Sequence, residues 1–220
     1  MRAAIFDVSS YEGALILRDL LKDICEVEVI GKKEVENGLN DFDIVVFPGG
    51  YNHIFAAYRS KKFRESIRNF VGGGGGYLGI CGGAYLAGLL DICDCRIGFF
   101  GLVLRTLYYS LVGWSKARSP VKIRWTENNI FGRTGEQKIV WACSPYISDS
   151  GSFNIEAYYA ENKLLVPLKD KGAIATGEYK KGRVILFCPH PELKKNSIDN
   201  TNLITKAILW LVFGTPVNRV

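Results

Sequence analysis

Histidine is almost missing from this chain: there are two among 220 residues, His53 and His190. Chemistry that needs an imidazole has only these two places to find one. No histidine lies near Cys93 and Cys95, and their one-residue gap differs from the two-residue gap of a zinc knuckle, so no metal site is expected. The sequence Gly-Lys-Ser/Thr does not occur, which excludes a P-loop. The opening MRAAIFDVSS has no long apolar run and does not read as a signal peptide. The most apolar stretch, residues 97–114, is interrupted by Arg105 and internal glycines, so it reads as a buried or interface segment rather than a membrane helix. These absences point to a cytoplasmic protein whose six cysteines are mostly reduced and buried.

What is present is ordinary in bulk. Apolar residues make up 48% and charged residues 23% of the chain, a globular profile. The net charge is +6, but the basic pairs Lys32-Lys33, Lys61-Lys62, Lys180-Lys181 and Lys194-Lys195 are scattered. Scattered pairs are solvated surface, not a nucleic-acid footprint. With no internal repeat and no linker, residues 1–220 read as one domain.

Hydrophobic periodicity predicts strands over residues 3–8, 25–30 and 43–47. Ser9 and Glu12 fit a capping box ahead of a helix carrying Leu15, Leu17, Leu20 and Leu21. A helix over residues 61–71 presents Phe63, Ile67, Phe70 and Val71 on one face and stops at Gly72. A strand over 77–80 runs into Cys81, and a helix follows over 84–90. This alternation predicts an α/β fold with a mostly parallel sheet and helices on both faces. Short strands are expected over 121–125, 138–142, 155–160 and 164–166. Residues 173–179 and 183–188 read as a hairpin, so the C-terminal half adds antiparallel strands. A final helix over 199–212 carries Leu203, Ile204, Ala207, Ile208, Leu211 and Val212.

The segment GGGGGYLGICGGAYLAG, residues 72–88, is dense in glycine. A flexible linker does not fit between two core elements. Gly74, Gly76 and Gly79 match a dinucleotide fingerprint as text, but they follow a helix and precede a strand, the reverse of what that motif needs. Gly79-Ile80-Cys81-Gly82-Gly83 has the form of a nucleophile elbow, a sharp strand-to-helix turn that exposes its central residue. Cys81 would then sit at a helix N-terminus, where the thiolate is favoured.

A thiolate nucleophile needs a proton carrier. His53 follows Pro48-Gly49-Gly50 at the start of a helix and reads as a capping or surface residue. His190 lies in Cys188-Pro189-His190-Pro191-Glu192, just after a strand. In an extended segment residues two apart point the same way, so Glu192 can orient the imidazole. The backbone N–H of Gly82 can serve an oxyanion hole, and Pro48-Gly49-Gly50 at another strand end can supply a second donor.

FPGG, GICGGAY and HPE, in this order, resemble class I glutamine amidotransferase domains. FPGGYNHIF, GGGYLGICGGAYLA and KKGRVILFCPHPEL are more closely similar to the biotin–protein ligase N-terminal domain family within that superfamily. The resemblance implies a flavodoxin-like three-layer sandwich and a Cys-His-Glu triad of Cys81, His190 and Glu192. It implies oxyanion positions at Gly50 and Gly82, with Gly49 as a contributor, and it brings no cofactor. Tyr85 and Tyr51 are the substrate-contact candidates. Glutamine amidotransferases usually have glutamine where this chain has Tyr85, and the Gly-Arg-Gly-Arg-like motif of biotin ligases is missing, so ligase chemistry is not expected.

Two functions follow. One is a cysteine-dependent amidohydrolase or amidotransferase acting on a small amide through a thioester, with a synthetase or ligase as partner. The other is a non-catalytic ligand-binding or regulatory module that retains the elbow as scaffold. For the latter the aromatic residues Phe99, Phe100, Tyr108, Tyr109 and Trp114 form a candidate surface, unless they are core or an active-site insert.

Overall fold

The computed structural model describes residues 1–7, 13–98, 118–163, 166–194 and 199–214; the side chains of residues 51–53 also lie outside the description. The first half alternates as expected: β1 (Arg2–Phe6), α1 (Gly13–Leu21), β2 (Glu26–Ile30), α2 (Lys32–Asn37), β3 (Ile44–Phe47), α3 (Tyr51–Tyr58), α4 (Lys61–Gly72), β4 (Gly76–Ile80) and α5 (Gly82–Leu89). The second half is β5 (Arg96–Gly98), β6 (Arg118–Trp125), β7 (Glu136–Ala142), β8 (Tyr146–Asp149), β9 (Asn154–Tyr159), β10 (Gly172–Tyr179), β11 (Gly182–Phe187) and a last helix, here α6 (Asn202–Phe213).

One sheet runs β2-β1-β3-β4-β11-β10-β9-β6-β7, with β8 pairing both β10 and β5. From β2 to β11 all neighbours are parallel. From β11 to β7 all are antiparallel. Central parallel strands are covered on both faces, which is why β3 (IVVF) and β4 (GYLGI) are buried at every position. Val140 of β7 pairs with His190, three residues beyond the end of β11. The antiparallel half therefore touches the continuation of β11 at this one bridge.

Helix α4 shows how local sequence sets this arrangement. The Ser60 hydroxyl accepts the Phe63 amide at 3.3 Å as an N-cap, and Phe63, Ile67 and Val71, spaced by four, form the buried face. Helix α6 buries Leu203, Ile204, Ala207, Ile208 and Leu211 and packs on β3, β4 and β11. The hairpin β10–β11 turns at Lys180 as expected, with Tyr179 opposite Gly182.

Some expectations shift. The last helix begins at Asn202, because the Asp199 carboxylate binds the Thr201 amide at 3.1 Å and holds a turn there. Of the strand expected over 164–166, residues 164–165 lie outside the described set, and Val166 forms an isolated bridge with Lys163. The Ser9–Glu12 capping box and the aromatic segment 99–114 also lie outside it. Helix α2 was not foreseen: one buried residue, Val35, leaves no periodicity to read. Among the described residues no helix is long and apolar enough to cross a membrane.

Candidate active site

Cys81 stands between the last residue of β4 and the first of α5, with φ 51° and ψ −104°. A side-chain-bearing residue held there stores about 1–3 kcal/mol of backbone strain. Two hydrogen bonds hold it: its amide donates to the Phe187 carbonyl at 2.7 Å, and its carbonyl accepts from Tyr85 at 3.1 Å. The bend is possible because helix α5 starts against the end of β3. A Cβ on Gly83 would lie 2.0 Å from the Phe47 carbonyl oxygen, so only glycine permits this approach. Tyr77 fixes the same turn by donating its hydroxyl to the Gly83 carbonyl at 2.7 Å.

His190 reaches the elbow from the other side. Its amide donates to the Val140 carbonyl at 2.8 Å, which ties the Pro189-His190-Pro191 segment to β7. His190 is 3% exposed and Glu192 is 1% exposed. The imidazole Nδ1 donates to Glu192 Oε1 at 2.7 Å, and the ring is also hydrogen-bonded to Cys81. With Nδ1 engaged by Glu192, Nε2 is the atom left to serve the sulfur. Burial alone would drive this imidazole neutral. The Glu192 charge, then the Cys81 sulfur and both hydrogen bonds, outweigh it, and the histidine pKa is pushed up to about 10.

The Pro48-Gly49-Gly50 turn covers the pair. A Cβ on Gly49 would sit 2.8 Å from His190 Cε1 and 3.5 Å from Cys81 Cβ. The position a Gly82 Cβ would take is 3.2 Å from the Gly50 amide nitrogen, so the backbone at the starts of α3 and α5 lies side by side next to Cys81. Six expected site residues therefore meet: Cys81, His190, Glu192, Gly49, Gly50 and Gly82. Tyr85 is half-buried on α5, its ring edge-on to Phe55 of α3 with centroids 6.0 Å apart. Tyr51 and His53 are on α3, with their side chains outside the description.

Val140 and Phe55 were not read from the sequence as site residues. Val140 acts through a backbone carbonyl and has no residue-type signal. Phe55 could have been noticed as an aromatic one turn after the Pro-Gly-Gly bend. A second buried carboxylate, Glu156, is occupied structurally, accepting the Ile130 amide at 2.7 Å and the Thr176 hydroxyl. No cluster able to hold a metal ion occurs among the described residues.

The His190 shift has a stability consequence. An unfolded imidazole titrates near pH 6.5, whereas the folded one keeps its proton to about pH 10. The stabilisation is complete below pH 6.5, fades as pH rises through this window and is gone above pH 10. One retained proton gives a slope of at most about 1.4 kcal/mol per pH unit. Urea denaturation between pH 6 and 10 should show this fall in the wild type and a flatter dependence in Glu192→Gln.

Three comparisons place the chain. A protein-family model described as biotin-protein ligase, N terminal, matches residues 8–93. No curated protein matches the chain. Among solved structures, a protein from Thermoplasma acidophilum described as one of the subunits of GMP synthase is 13% identical with TM-score 0.66, over 97% of this chain and 94% of that one. PurLQS from Thermotoga maritima gives 17% identity and TM-score 0.62, over 94% of this chain and 97% of that one. A glutamine amidotransferase from Thermotoga maritima gives 12% identity and TM-score 0.60, over 95% of this chain and 84% of that one. At these identities the likeness concerns the fold. Residues 8–93 thus carry the sequence pattern of the biotin–protein ligase N-terminal family, and the chain as a whole has the flavodoxin-like fold of glutamine amidotransferase-like proteins.

Proposed function

We propose that this protein is a cysteine-dependent amidohydrolase, or the amide-hydrolysing member of an amidotransferase pair. The observation that carries this reading is the continuous hydrogen-bonded chain Cys81–His190–Glu192, with Nδ1 to Oε1 at 2.7 Å, at a strained strand-to-helix bend. An imidazolium beside the sulfur stabilises the nucleophilic thiolate.

The Cys81 thiolate attacks the carbonyl carbon of an amide, and the carbonyl electron pair moves to oxygen. The N–H groups of Gly50 and Gly82 receive this oxyanion, with Gly49 contributing to the same turn. His190 gives its Nε2 proton to the departing nitrogen, the C–N bond breaks, and ammonia or an amine leaves a thioester on Cys81. His190, now neutral, takes a proton from water, whose oxygen attacks the thioester. The collapse releases a carboxylic acid and restores the thiolate. Glu192 holds the imidazole orientation and balances its charge through both steps. In an amidotransferase pair, the ammonia would pass to a synthetase or ligase partner.

Tyr85 lies one helical turn after Cys81, and side chains on a helix lean toward its N-terminus, so it and Phe55 offer an aromatic wall near the nucleophile. Tyr51 begins α3 beside the same turn. Such a wall suits an amide with an apolar or flat acyl group better than the zwitterionic head of glutamine. Ammonia release from a panel of primary carboxamides tests this. Turnover of flat or apolar amides above glutamine is expected, with glutamine KM falling about fivefold in Tyr85→Gln, the worth of one hydrogen bond. If wild type and Cys81→Ala are equally inert across the panel, the enzymatic reading fails and the module reading replaces it.

A further inference from the structure

The structure places a second pair of reactive groups outside the triad. All six cysteines are thiols, and five of them are buried; Cys93 is the half-buried one. It follows α5 in Cys93-Asp94-Cys95 and lines an open groove with Asp91, Asp94, Ser152, Phe153, Glu178 and Tyr179. Its partner Cys95 is 7% exposed. The two thiols are neighbours, with one residue between them in the chain, and each perturbs the other. The Cys95 thiol donates to the Ser150 carbonyl oxygen at 3.4 Å. The neighbouring Cys95 thiol holds the Cys93 thiol below the ordinary cysteine range against burial. The same contact, with burial, pushes Cys95 up.

We propose that Cys93 and Cys95 form a redox-active dithiol that exchanges with small disulfides, Cys93 attacking and Cys95 resolving. The Cys93 thiolate displaces one thiolate from a low-molecular-weight disulfide and forms a mixed disulfide. Cys95 then loses its proton, attacks Cys93 Sγ and releases the second thiol. The protein loses two hydrogens and two electrons, and the disulfide is reduced to two thiols. The geometry supports this order: the half-buried sulfur of Cys93 lines the groove and meets the reagent, and the buried Cys95 stands behind it with one residue between them. A surface thiol without a neighbour would stop at the mixed disulfide.

The test uses the full chain and 2-hydroxyethyl disulfide, an uncharged probe that the carboxylates around the groove do not repel. Remaining thiols are alkylated, the protein is cut with chymotrypsin after Leu90 to separate Cys81, and the fragments are weighed. A fragment lighter by two hydrogens and resistant to alkylation at both Cys93 and Cys95 is expected. Cys95→Ser should stop at a mercaptoethanol adduct on Cys93, while Cys93→Ser should leave Cys95 reacting at least about tenfold more slowly than Cys93 does in the wild type. Alkylation of both residues in the treated wild type, or a link from Cys93 to another cysteine, would overturn the proposal. The readout needs no amide substrate, so its outcome is separate from that of the proposed amidase.

Discussion

Replacing His190 by alanine should lower amide turnover by about 10⁴-fold or more and slow alkylation of Cys81 at neutral pH. The imidazole makes two connections that alanine cannot: a hydrogen bond to Cys81 and a 2.7 Å bond to Glu192. Without it the sulfur loses its counter-charge and the departing nitrogen loses its proton donor. Members of such a unit act together, so losing one removes most of the effect of all of them. Because the Val140 bond is made by the backbone, His190→Ala should remain folded. Circular dichroism of the variant should match the wild type while turnover collapses. A loss of less than tenfold would mean that His190 is not the proton carrier.

The second large effect falls on stability. Gly83→Ala should destabilise the protein by about 4 kcal/mol or more, a large part of the margin of an ordinary domain. The new methyl would lie 2.0 Å from the Phe47 carbonyl oxygen. Both sides of that contact are backbone, so no rotamer change relieves it, and either α5 or β3 must move. Gly88→Ala in the same helix is the control. There the nearest atom to a Cβ is Ile97 Cδ1 at 3.7 Å, an ordinary contact, and alanine gains up to about 1 kcal/mol of helix propensity. Urea denaturation of the two variants should move in opposite directions. Equal midpoints would remove the close approach of α5 to β3 from the account of the elbow.

The contrast between these glycines shows what could be read in advance. The parallel half of the sheet, helix α4 and the hairpin β10–β11 carry their evidence locally, in runs of apolar residues punctuated by glycine and proline. The elbow and the His-Pro-Glu segment are equally local, so Cys81, His190 and Glu192 stood out before their contacts were known. The tie between His190 and Val140 joins residues 50 positions apart through backbone atoms and leaves no trace in residue types. β5 and β8 are short strands that pair with one another across a similar gap. The glycine run itself divides. The amides of Gly73 to Gly76 donate to Asn69, Val71, Phe70 and Asp43, so the run is not a phosphate cradle. A Cβ on Gly75 would strike the Phe70 ring at 2.4 Å, a packing demand that no motif encodes.

The central claim is that Cys81 attacks a carbonyl with His190 as its partner. It is tested most directly by incubating the protein with an electrophilic amide analogue and locating the covalent adduct by mass spectrometry. An adduct on Cys81 is expected, formed stoichiometrically in the wild type, slowed at least about 100-fold in His190→Ala and missing in Cys81→Ala. Labelling that spares Cys81 while other thiols react, or that proceeds equally fast in His190→Ala, would contradict it.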